Sequence, residues 1–265
     1  MNIILPSLIA VLLYAAGSVY QGRALVQGHT ICKPLIQGIA LSASILQMLS
    51  IYFVLHTQQG IDLSYVNVGS LISWLIINVV LLSSLRKPVE NLFVILFPIA
   101  ATTVLLSAFH LSPTDIKTNL SAGMILHVLF SVLAYSILTI AFCQALLLAY
   151  QDYRLKHRHP TGMIRLFPPL QTMESLLFEF LWAGLLLLSC SLLSGFIALD
   201  NNFVQSHKAS LSIIAWLVFA ILLWGRHALG WRGITAIRWT ICGFTLLVLA
   251  YFGSKLLLDL IKQAG

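Results

Sequence analysis

The chain has 265 residues, 59% of them hydrophobic and 9% charged, with a mean hydropathy of +0.95. Those values leave no segment long and polar enough for a soluble domain, so residues 1–265 read as a single transmembrane domain. The net charge of +7 does not point to nucleic acid, because the basic residues are spread over short connections, as in loops that face anionic lipid.

Eight runs carry no Lys, Arg, Asp or Glu: 1–22, 34–61, 63–85, 91–114, 118–151, 180–199, 209–225 and 239–254. A helix needs about 20 apolar residues to cross a bilayer core. A centrally placed charge costs roughly 2.5–3.5 kcal/mol on insertion scales. The expected fold class is therefore all-α, a bundle of eight transmembrane helices, with spans near 3–20, 35–55, 65–85, 91–109, 122–149, 177–199, 209–225 and 236–256. The first run has no basic residue ahead of it and is expected to stay as the first span. Spans two and three are separated by the polar turn from His56 to Asp62, and Arg86-Lys87-Pro88 ends the third. The fifth is expected to run on as a helix through Gln151-Asp152-Tyr153-Arg154. The longest connection, from about Asp152 to Glu174, contains Pro168-Pro169.

Lys and Arg are distributed unevenly between the two sets of connections. The four odd connections and the start of the last span hold eleven, from Arg23 to Arg238. The opposite side holds four: Lys117, Lys208, Lys255 and Lys262. Positively charged loops stay cytoplasmic, so both termini are expected outside, in a multi-pass membrane protein.

The four cysteines, Cys32, Cys143, Cys190 and Cys242, have no C-x-x-C spacing and imply neither a disulfide nor a metal cluster. The sequence has no Gly-x-Ser-x-Gly, no His-Glu-x-x-His, no phosphate loop and no paired intramembrane carboxylates, so an enzyme is not expected. Glu174 and Glu179, near the start of span six, are expected to favour the positive end of that helix dipole.

Eight histidines are many for so apolar a chain. His29, His157 and His159 lie among cytoplasmic basic residues. His56, His110, His127 and His207 fall near the outer face, and His227 lies at the inner end of span seven. His127, Ser131 and Tyr135, at i, i+4 and i+8, share one helix face. Two readings fit that stripe: hydrogen bonds between packed helices, or an imidazole held as a ligand. Asn67, Ser70, Trp74 and Asn78 form a second stripe on span three, which reads first as polar adhesion between helices.

The C-terminal third carries Leu222-Leu223-Trp224-Gly225, Gly230-Trp231-Arg232-Gly233 and a last span closing in Tyr251-Phe252-Gly253-Ser254. Together with Leu126-His127-Val128 and Tyr135, it resembles the cytochrome c assembly family, the haem-handling proteins of bacterial membranes. Asn67-Val68-Gly69-Ser70-Leu71, Asp152-Tyr153, Pro168-Pro169-Leu170 and Met173-Glu174 extend the similarity to one inner-membrane type nearly end to end. The resemblance implies haem as cofactor, with other inner-membrane proteins and the lipid bilayer as partners. It implies His127 as an axial ligand, with His110 or His207 as a second ligand on the outer face and His227 near a further family histidine. Two departures stand out. The loop from Asp200 to His207 has no tryptophan where haem-handling members carry a tryptophan-rich segment, and no histidine follows the last span. A second expectation follows from them: a non-haem accessory subunit of a divalent-cation (magnesium or cobalt) efflux system or other transport system.

Overall fold

The computed structural model describes residues 4–57, 60–62, 64–109, 116–117, 121–156, 167–198 and 207–253. His110, His157, His159 and the segment 200–206 therefore lie outside the described residues, as does everything after Gly253. The helices are α1 (Ile4–Gln27), α2 (Lys33–Leu55), α3 (Tyr65–Ser84), α4 (Phe93–Phe109), α5 (Ala122–Lys156), α6 (Leu170–Ala198), α7 (His207–Ala228) and α8 (Ile234–Val248). A π-helical turn, Leu249–Gly253, follows α8 directly. Among the described residues, and with the flanking turns, eight helices are long and apolar enough to cross a membrane.

Several helices outrun the charge-free segments, because a helix stops where the backbone is told to stop and not where lipid ends. α1 passes Arg23 and ends only at Gly28, whose φ of 71° supplies the left-handed turn that lets His29 N–H bond the Ala24 carbonyl at 2.9 Å. α6 begins at Leu170, immediately after Pro168-Pro169, seven residues ahead of the apolar start at 177. α5 continues through Arg154 as the sequence suggests, with Lys156 bonded to Asp152 one turn back at 2.7 Å.

Contacts divide the chain into two compact units, one of Met1–Asn119 with Gln151–Pro169 and one of Leu120–Tyr150 with Leu170–Gly265. In the first unit α1 packs on α2 and α4, and α3 packs on the same two helices. Two short strands lie between α2 and α3, where the sequence suggests only a polar turn. β1 (His56–Thr57) and β2 (Gly60–Asp62) form an antiparallel hairpin, and β3 (Ile116–Lys117) joins β2 as the third strand. In the second unit α7 packs on α6 and α8. α5 meets α8 through Phe142 stacked on Phe244 at 4.5 Å, and it meets α6 where Leu138 lies over Gly184.

Candidate functional site

The site is built on the first turns of α5, in the second unit. Ser121 sets the start of that helix by accepting the Met124 N–H on its hydroxyl at 3.3 Å. From there His127, Ser131 and Tyr135 rise along one face. His127 Nδ1 lies 2.8 Å from the backbone carbonyl of Ser191 on α6. A carbonyl only accepts, so this contact requires the proton on Nδ1, and the lone pair of the neutral ring is then on Nε2. Ser131 donates to the His127 carbonyl at 2.7 Å, leaving the Ser191 hydroxyl to donate to Ser131 at 2.7 Å. The imidazole is thus locked to α6 by a main-chain contact, with a hydroxyl pair directly beneath it.

Tyr135 completes the stripe toward α8. Its hydroxyl donates to the Leu247 carbonyl at 2.8 Å, two residues before the π-helical turn, and its ring lies 5.7 Å from that of Tyr251 within the turn. π-helical turns are rare and recur at functional sites. The stripe was legible in the sequence. That it spans three helices was not, because its partners are 60 to 112 residues away.

The other candidate histidines distribute themselves by helix direction. His207 is the first residue of α7, which starts at the end where α6 finishes and where His127 lies. His227 is near the far end of the same helix, about 30 Å away along its axis at 1.5 Å per residue. It is exposed, with its ring edge-on to Trp182 at 6.3 Å. His127 and His227 therefore cannot serve one centre. His29 is exposed, as expected of a residue between spans. Among the described residues no three His, Cys, Asp or Glu side chains lie close enough to hold a metal ion. A crevice of about 390 Å³ in the first unit lies among Thr30, Lys33, Pro88, Glu90 and Asn91. It has no histidine in its lining, and Lys33 and Glu90 close an ion pair at 2.6 Å there.

The second stripe proves to be adhesion between helices. Asn78 and Trp74 bond Ser44 on α2, Gln47 bonds Ser70 and Ser73, and Asn67 bonds Asp62. Sequence reasoning also assigned Glu174 to the helix dipole alone. Its carboxylate in fact accepts from Arg226 at 2.7 Å and Arg232 at 3.0 Å, partners 52 and 58 residues on.

Fold and site together define a polytopic helical membrane protein whose most constrained histidine is held at one end of a four-helix unit. The chain belongs to the cytochrome c assembly protein family, whose model matches residues 33–262. It is 36% identical over 207 residues to the inner membrane protein YpjD of Escherichia coli (strain K12), covering 77% of this chain and 78% of that one. An uncharacterized 28.8 kDa protein of Azospirillum brasilense is 31% identical over 140 residues, 51% of this chain and 52% of its own. The cytochrome c biogenesis protein CcsA of Prochlorococcus marinus (strain NATL1A) is 32% identical over 95 residues, 34% of this chain and 30% of its own. No solved structure gives a significant match.

Proposed function

We propose that the protein binds haem at the His127 end of its second unit, with His127 as an axial ligand through Nε2, and serves cytochrome assembly in the inner membrane. The observation that carries this reading is the Nδ1 contact to the Ser191 carbonyl. Ligating histidines nearly always donate their other ring N–H to a carbonyl or carboxylate, which fixes the ring and raises its basicity. Among the described residues, the donor set fits haem better than a free metal ion. It is one anchored imidazole, a usual axial ligand for haem iron, with the Tyr135 and Tyr251 rings on the same side of the unit. Haem, when bound, would supply the iron and its redox chemistry. The chain's own residues orient the imidazole through Ser191, brace it through Ser131, and tie the end of α8 to α5 through Tyr135. His207, at the start of α7, stands at the same end and is the partner ligand we favour. The excess of Lys and Arg in the opposite loops supports this end lying outside, on the face where c-type cytochromes are assembled.

The test is the visible spectrum of the protein purified from haem-replete cells. A Soret band that His127→Ala abolishes or shifts is expected. No band, or one indifferent to His127→Ala, would overturn the reading.

A further inference from the structure

At the end of the second unit remote from His127, α6 begins, α7 ends and α8 begins. The guanidinium groups of Arg226 and Arg232 meet there, and Arg238 stands exposed in the second turn of α8. Glu174 is buried, and one of its oxygens, Oε1, accepts from both Arg226 and Arg232. One carboxylate cannot neutralise two arginines. Among the described residues of this unit, Glu179 on the same helix is the second acid at this end against the three arginines, and Glu179 and His227 are both exposed.

The two arginines are not equivalent. Arg226 is consumed by the fold: the same nitrogen that bonds Glu174 also donates to the Trp231 carbonyl at 3.3 Å, and its guanidinium lies 4.6 Å from the Phe178 ring centre. Arg232 makes its contact to Glu174 through Nε, the guanidinium nitrogen nearest the chain, and its side chain is 56% exposed. The two outer amino groups of that planar fork lie further from the chain, in the geometry suited to a phosphate. The loop that holds Arg232 is fixed. Gly230 and Gly233 have φ of 68° and 55°, and the Trp231 ring packs so closely on Gly225 that a Cβ there would come within 2.5 Å of it. Trp231 in turn lies 5.3 Å from Trp239. The chain on either side of Arg232 exposes large apolar side chains: Trp224 is 64% exposed, Leu229 59% and Ile234 46%.

We propose that this edge seats the headgroup of an anionic phospholipid, its phosphate on Arg232 and its acyl chains along Trp224, Leu229 and Ile234. Charge complementarity requires an anion, and the exposed apolar side chains select one that carries hydrocarbon. Glu174 competes with the phosphate for Arg232 and so sets the affinity of the seat.

The experiment uses the full chain, delipidated in neutral detergent, titrated with phosphatidylglycerol, phosphatidylcholine or inorganic phosphate, and read by thermal unfolding and lipid retention in native mass spectrometry. Phosphatidylglycerol is expected to raise the unfolding midpoint and remain bound, phosphatidylcholine to do neither, and inorganic phosphate to do so only weakly. Arg232→Gln should weaken phosphatidylglycerol binding about fivefold, the loss expected for one basic residue near an anionic surface. Glu174→Gln should tighten it, an opposite sign that general destabilisation cannot produce. Equal effects of the two lipids would overturn the proposal, as would an unchanged affinity in Arg232→Gln or weaker binding in Glu174→Gln. Inorganic phosphate matching phosphatidylglycerol would also overturn it, because the site would then take free anions.

Discussion

The two units of this chain solve the same problem, holding four apolar helices together where water cannot help, by different means. The first is joined by a column of side-chain hydrogen bonds. Ser7 meets Ser50, Tyr14 donates to Gln47 at 2.7 Å, Gln47 reaches Ser73 at 3.0 Å, and Ser73 meets Thr103 at 2.7 Å. The column continues through Ser44, Trp74 and Asn78 to Gln37 and Ser84, and at the other end through Asn67 to Ser107. The second unit is joined mainly by close apolar approach, with Gly184 against Leu138, Gly243 against Phe219, and stacked Phe142 and Phe244. Its polar clusters lie toward its two ends, at His127, Ser131 and Ser191 on one side and at Glu174 with its arginines on the other, with single hydrogen bonds from Tyr135 to Leu247 and from Trp216 to Ser189 between them. In the first unit the side-chain bonds link all four helices and make it a scaffold. The second unit has an oriented imidazole at one end and the Glu174–arginine cluster at the other, the two places where the proposals above put a ligand.

That contrast can be broken by mutation. The largest effect is expected for Gln47→Ala in the first unit. Gln47 is fully buried and joins α1, α2 and α3 through Tyr14, Ser70 and Ser73. Interhelical bonds in membranes average about 0.6 kcal/mol and reach about 1.7, and the vacated volume adds to them, so a loss of about 3 kcal/mol is expected in detergent unfolding. In the second unit, Gly243→Ala would place a methyl group 2.8 Å from the Phe219 ring. Overpacking of that kind costs about 1–3 kcal/mol, and the unfolding midpoint should fall while the hydrogen bonds of the first unit stay intact. Ser131→Ala should be the mildest, about 0.6 kcal/mol in the same assay, yet it should broaden the haem spectrum by loosening the ring above it. If Ser131→Ala proved as costly as Gln47→Ala, the division into scaffold and site would fail.

Much of this was legible in the sequence, for identifiable reasons. Charge exclusion located eight spans because the penalty for a buried charge is large and local. The spacing of His127, Ser131 and Tyr135 gave one face because helical period is local too. The association of β3 with β2 was not legible, since Ile116 and Asp62 pair across 54 residues of sequence with no alternating pattern to announce it. Nor was the ion cluster, because nothing in the order of residues tells Glu174 which of the basic residues of the later loops will reach it. The extra turns of α1 and α6 were missed because hydropathy marks the lipid, whereas Gly28 and Pro168-Pro169 mark the helix.

The central claim, that His127 is an iron ligand and not only a link between α5 and α6, is tested most directly by cavity rescue. Haem is titrated into purified His127→Gly, and free imidazole is then added. The account predicts that His127→Gly takes haem weakly with a displaced Soret band, and that imidazole returns the band toward the wild-type position. A His127→Gly protein whose haem spectrum matches wild type before imidazole is added would contradict it.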